Sequence, residues 1–218
     1  MPFASPARPA MNSGPRIPRL MLVSDRHRFP GSYPDLAALA VAGGVDAVQL
    51  REPDLLPQEM VAVALLLARG AGLAVPVLVN GSFAVAARFG FGIHLPEAGP
   101  AVAEARRAAG EGTLVGRSVH SPAAARGAGG ADYLLVGNVF PTGSKPGQPP
   151  LGLDGLNAIA NATPIPVLAV GGIDETNAGD VLAAGAHGIA VVAAIAGSAD
   201  PTGAARRLRT IVDAVPAD

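Results

Sequence analysis

Eight short apolar runs, each followed by a longer stretch of helical character, limit most tightly how this chain can fold. The runs are "LMLVS" (20–24), "AVQL" (47–50), "PVLVN" (76–80), "GIHLP" (92–96), "LVGRSV" (114–119), "YLLVGNVF" (133–140), "PVLAVGG" (166–172) and "GIAVVAAI" (188–195). Most are near-continuous in Val, Ile and Leu, the pattern of parallel strands covered on both faces. Segments 34–43, 56–72, 82–90, 100–110, 121–130, 151–162, 174–186 and 200–215 read as the helices that follow them. Several end in Gly, which suits a left-handed C-terminal cap. Asp200-Pro201 and Ser121-Pro122 each supply an N-cap followed by a proline at the first helical position. Eight strand–helix units predict an α/β chain closed as a (β/α)8 TIM barrel, with a doubly wound sheet as the other architecture. The stretches "VAGGVDAVQL" (41–50) and "AGAHGIAVV" (184–192) look like repeats of one βα unit.

Composition removes several functional classes. Of 218 residues none is cysteine, which excludes disulfides, thiolate catalysis and Cys-ligated metals and fits a reducing cytoplasm. The formal net charge is −1, so no nucleic acid or anionic membrane is expected as a partner. Pro and Gly interrupt each apolar run well short of the ~20 residues that span a bilayer. Residues 1–18 contain five prolines and no apolar signal core, and are expected to form a flexible tail. Residues 19–218 then form a single barrel domain; whether it assembles as a homo-oligomer is left open.

In such a barrel the functional groups stand at the C-terminal ends of the strands. The candidates there are Asp25, Arg26, Gln49, Arg51, Glu52, Asn80, His94, Arg117, His120 and Asn138, with "GGID" at 171–174. Polar groups that break apolar strands are informative, because burying one without a partner costs about 1–3 kcal/mol. The loops after strands 7 and 8 are the usual phosphate site. Gly171 and Gly172 let backbone N–H groups approach an anion, and Ala193 and Ala194 open a short helix aimed at the same place. The alternative is that the two glycines only make a tight turn. Loop 141–152, with Thr142, Ser144 and Lys145, is either a lid that clamps an anion or a plain surface loop.

The pieces "QLRE" (49–52), "VNG" (79–81), "GIHLP" (92–96), "GRSVHS" (116–121), "ADYLLVGNVFPTGSKPG" (131–147), "PVLAVGGI" (166–173) and "AGAHGIAVV" (184–192) occur in one order. Together they resemble the thiamine phosphate synthase / thiazole tautomerase family from residue 19 to 215. The resemblance implies a (β/α)8 barrel acting on a small thiazole phosphate. The synthase branch joins a pyrimidine diphosphate to a thiazole phosphate and uses Mg²⁺. Its pattern has a Lys after Arg-Glu, an Asn-Asp pair ending strand 3 and an Asp soon after strand 4. Here those positions read Pro53, Gly81 with Ser82, and Gly99.

Those departures resemble the tautomerase branch, which turns an exocyclic-alkene thiazole carboxylate phosphate into its aromatic isomer. The resemblance therefore implies a cofactor-free, metal-free thiazole tautomerase, with His120 carrying the proton. An unperturbed pKa of ~6.5 lets a His accept and donate near neutrality. Arg51 is expected to grip the substrate carboxylate with its planar fork, or else to pair with Glu52 or another acid at the barrel mouth. Lys145 matches the family's lid Lys, while Gln49 and Asn80 orient ligand or brace neighbours. His94 reads as a packed, hydrogen-bonded His and His187 as structural. Two other readings remain: a divergent thiamine phosphate synthase, and a non-catalytic relative that keeps the phosphate cup for regulation.

Overall fold

The computed structural model describes residues 15–110, 112–143 and 147–216. Eight strands run β1 (Leu20–Val23), β2 (Ala47–Leu50), β3 (Val77–Asn80), β4 (Gly92–Leu95), β5 (Val115–Val119), β6 (Tyr133–Val136), β7 (Val167–Val170) and β8 (Gly188–Val191). The helices are α1 (Tyr33–Ala42), α2 (Pro57–Ala71), α3 (Phe83–Phe89), α4 (Val102–Ala109), α5 (Pro122–Arg126), α6 (Gly152–Ala160), α7 (Ala178–Ala183), α8 (Ala193–Ala196) and α9 (Pro201–Ala214). All strand pairs are parallel, and β8 pairs with β1, so the sheet is a closed (β/α)8 barrel in sequence order. The doubly wound alternative is thereby excluded. Most of the tail expected at 1–18 lies outside the described residues. Among those described, no helix is long and apolar enough to cross a membrane.

Side-chain alternation along each strand divides the apolar residues into two cores. Met21, Val23, Ala47, Leu78, Leu114, Tyr133, Leu135, Leu168 and Ala190 cluster inside the barrel. Their strand neighbours, such as Leu22, Val48, Val79, Ile93 and Leu134, pack outward against buried helix residues including Leu36, Leu67, Leu156 and Leu208. At the N-terminal end of the strands, Asp46 ties the barrel shut. Its carboxylate accepts from the Leu20 N–H at 2.9 Å and the Arg19 N–H at 3.1 Å, and pairs with Arg209 on α9 at 3.1 Å.

Local chemistry moves several expected boundaries. The N-caps hold: Ser121 Oγ accepts from the Ala124 N–H at 3.1 Å, and Asp200 Oδ1 from the Gly203 N–H at 2.8 Å. The helix expected at 174–186 starts only at Ala178, because Asp174 Oδ1 captures the N–H and hydroxyl of Thr176 in a turn. Strand β6 stops at Val136, since the chain there packs tightly on β7; a Cβ on Gly137 would lie 2.1 Å from the Val170 carbonyl oxygen. The glycine caps correct the expectation: Gly90 is left-handed, whereas Gly43 and Gly127 close their helices in right-handed geometry.

Gly116 is required by the barrel interior. A Cβ there would sit 2.0 Å from Tyr133 Cζ, inside the fully buried phenol ring. Gly116→Ala is expected to destabilise the barrel by about 1–3 kcal/mol, read from the denaturation midpoint. Adding Tyr133→Leu removes the ring, so the double variant should lose less than the two single losses combined.

Candidate active site

A cavity of about 800 Å³ opens where the strands end. That is room for a small-molecule ligand of ordinary size. On the β2–β3 side stand Gln49, Arg51 and Asn80; on the β5 side Ser118 and His120; on the β6–β8 side Asn138, Thr142, Gly171, Gly172 and Ala193. Most of the expected site residues are therefore brought together. Ala194 is not among them: it is half-buried and packs against the outer core. Ser144 and Lys145 lie outside the described residues. Arg117 turns outward and donates to the carbonyl oxygens of Glu97 and Pro100, both at 2.7 Å.

Beneath the cavity lies a polar layer of the barrel interior. His94 is fully buried on β4, with Nδ1 2.9 Å from Tyr133 Oη and Nε2 2.8 Å from Ser118 Oγ. Burial, helped by the Arg51 charge, pulls the His94 pKa down to about 3. The ring is thus neutral at ordinary pH, one nitrogen donating and the other accepting. Burial also pushes the Tyr133 phenol upward. Gln49 is completely buried as well, and its Oε1 accepts from Asn80 Nδ2 at 3.4 Å. Gln49 accordingly braces Asn80 at the cavity floor.

His120 is half-exposed on the cavity wall, one residue past β5. Glu97, from the loop after β4, takes its backbone N–H at 3.1 Å and its ring Nδ1 at 2.7 Å. Burial alone would raise the Glu97 pKa, but the hydrogen bonds and charge of His120, with Arg117 behind, hold it below the usual value. Arg117 anchors the Glu97 backbone, so a three-residue chain fixes the imidazole. Glu97 was not among the candidates expected at the strand ends. Strand register carried the signal: Leu95 pairs with Arg117, which brings Glu97 level with Val119, beside His120.

Two acids line the cavity, and both are committed. Glu97 is held by His120. Glu52 is buried, and its Oε1 accepts the Ser24 hydroxyl at 2.8 Å and the Arg26 N–H at 3.2 Å. Arg51 does not pair with Glu52, against the alternative expectation; its backbone N–H donates to Ser24 Oγ at 3.0 Å. Among the described residues no cluster of three His, Cys, Asp or Glu could hold a metal ion. Mg²⁺ takes near-octahedral oxygen ligation through carboxylates, water and substrate phosphates. Gly81 and Gly99 offer no side-chain oxygen, Ser82 only a hydroxyl, and Glu52 and Glu97 are already bonded, so the donor set does not fit a carboxylate-bound Mg²⁺.

Gly171 and Gly172 have φ of +99° and +68° and lie against the loop after β6. A Cβ on Gly171 would come 2.6 Å from Asn138 Cβ, and one on Gly172 2.6 Å from the Pro141 carbonyl oxygen. The pair thus serves as a tight turn and as the close junction of two loops at the cavity rim.

Fold and cavity define the class: a closed (β/α)8 barrel with a polar pocket at the C-terminal ends of its strands. The profile of a family described as thiamine monophosphate synthase matches residues 20–195. The thiamine-phosphate synthase of Chloroflexus aurantiacus is 43% identical over 202 residues, covering 89% of this chain and 92% of that one. The thiamine-phosphate synthase of Methanoculleus marisnigri is 41% identical over 194 residues, covering 86% and 91%. Among solved structures, thiamine phosphate pyrophosphorylase from Pyrococcus furiosus superposes with a TM-score of 0.79 at 33% identity, covering 90% of this chain and 96% of that one. A 3-hexulose-6-phosphate synthase, at a TM-score of 0.68 and 23% identity, covers 89% and 99% and shares the fold. This chain belongs to the thiamine monophosphate synthase family.

These relatives correct the expectation of an isomerase. The tautomerase reading rested on Pro53, Gly81 with Ser82, and Gly99, all just past strand ends, where loops vary most while the scaffold is kept. Relatives matching over about nine-tenths of the chain carry the name of a transferase instead.

The buried His94 makes stability pH-dependent. Its folded pKa lies below the unfolded value, so between about pH 6.5 and 3 the unfolded chain binds the extra proton. Stability should fall as pH drops through that window, His94 alone adding a slope approaching about 1.4 kcal/mol per pH unit. Half-buried His187, also depressed chiefly by burial, acts in the same direction. Denaturant midpoints at several pH values should show a shallower acid slope for His94→Gln.

Proposed function

We propose that this protein joins a pyrimidine diphosphate to a thiazole phosphate, giving thiamine phosphate and releasing pyrophosphate. The observation that carries the reading is near-full-length identity of 41–43% to proteins named thiamine-phosphate synthase. In the reaction a carbon–oxygen bond to the diphosphate breaks and a carbon–nitrogen bond to the thiazole forms. Negative charge therefore grows on the departing pyrophosphate, and catalysis requires groups that stabilise it.

The cavity supports a division of labour. The thiazole phosphate is assigned to the Gly171–Gly172 turn beside Ala193, where the backbone can approach an anion closely. The diphosphate is assigned to the Arg51 side, with Asn80 orienting the reactants from a floor braced by Gln49. Thr142 is assigned to the rim above both. His120, oriented by Glu97 through Nδ1, is the group that gives a proton to the leaving pyrophosphate. The Glu97 carboxylate holds the residue by ring Nδ1 and by the backbone N–H, so Nε2 is the nitrogen assigned to the reactants.

The test incubates the purified protein with both precursors and Mg²⁺ and measures coupled product and pyrophosphate by chromatography. One pyrophosphate should appear per thiamine phosphate. His120→Asn should lower kcat by about 10²-fold, within the range for a lost acid catalyst. Unconsumed precursors with the wild-type protein would reject the assignment.

A further inference from the structure

Among the described residues the cavity carries no cluster of acids able to hold a metal, but it contains cations. Arg51 lines it from the end of β2, and among the described residues its guanidinium forms no ion pair. Arg28 lines the same cavity from the loop between β1 and α1. Asp25 accepts from its Nε at 3.0 Å, which fixes the plane of the guanidinium. Its Nη2 then lies against the loop after β6, 3.2 Å from where a Cβ on Gly143 would be. A second cavity of about 270 Å³ adjoins the first and shares Arg28, Arg51 and Gly143 as walls. Three acids also line that side cavity, each already bonded: Asp25 to Arg28, Asp54 to Arg26, and Glu52 to the Ser24 hydroxyl and the Arg26 N–H.

Resting on the synthase reading of this cavity, we propose that the diphosphate is held by the guanidinium groups of Arg28 and Arg51 in place of a divalent cation. Two planar forks suit two linked phosphates: each offers parallel N–H donors matched to phosphate oxygens and keeps its charge at any working pH. The fork of Arg28 is already oriented by Asp25, and that of Arg51 makes no ion pair among the described residues. The side cavity gives the distal phosphate its own space, and the main cavity remains for the two rings.

The experiment titrates inorganic pyrophosphate into the full chain by calorimetry, once with excess EDTA and once with Mg²⁺. Binding should appear in EDTA, with Kd within about threefold of the Mg²⁺ value. Arg28→Gln and Arg51→Gln should each weaken it by about tenfold or more, the cost of a lost charge-assisted hydrogen bond. Arg51→Lys should recover part of that loss, because charge returns without the fork. Circular dichroism midpoints confirm that the variants fold. Pyrophosphate binding that requires Mg²⁺, or variants with unchanged Kd, would overturn the proposal. Because no turnover is needed, metal-free binding without coupling activity would support this assignment and reject only the synthase reading. Coupling that proceeds in Mg²⁺ without pyrophosphate binding in EDTA would do the reverse.

Discussion

Everything in this molecule depends on the pairing of β1 with β8. Leu20 sits beside Ile189 and Leu22 beside Val191, and with that contact the sheet has no edge. An open parallel sheet would leave a row of unpaired N–H and C=O groups on each side. Closure satisfies them and creates an interior that side chains must fill. It also gathers all eight strand ends into one ring, so residues far apart in sequence share a cavity. Asp46, which clasps the start of β1 and the last helix, secures the seam from the opposite end.

The filling of that interior is graded along the barrel axis. Met21, Ala47, Leu114 and Leu168 form an apolar base. Above them, His94, Tyr133 and Ser118 form a hydrogen-bonded layer without an ionised group. Only past the strand ends do charges appear, in Arg51 and Glu97. A neutral polar layer separates the two regimes at moderate cost, because each buried ring nitrogen of His94 has a partner. The same layer supports the cavity floor, since Ser118 both holds His94 and lines the pocket.

The cavity has backbone of Gly171 and Gly172 at the end of β7, Arg51 at the end of β2 and His120 at the end of β5. Arg28 reaches from the first loop to Gly143, in the loop on which the two glycines also pack. At Gly81 and Gly99 the cavity is short of carboxylates, and at Pro53 of a Lys, on a scaffold that 41–43% identity keeps common with its relatives.

By itself the sequence determined the barrel, because runs of Val, Ile and Leu alternating with helices have few other ways to bury both strand faces. It also determined which residues stand at strand ends, so Gln49, Arg51, Asn80 and His120 were legible as a group. Tertiary structure decided how those groups are used. His94 and His120 both close apolar runs, yet one is sealed among Tyr133 and Ser118 while the other meets Glu97 at the cavity wall. Strand alternation predicts which way a side chain points, but its depth along the axis follows from the stagger of neighbouring strands. Arg28 could not be found from local pattern either, because its role arises where the first loop meets Gly143, 115 residues later (143 − 28). Contacts across such separations exist only once the ring is closed.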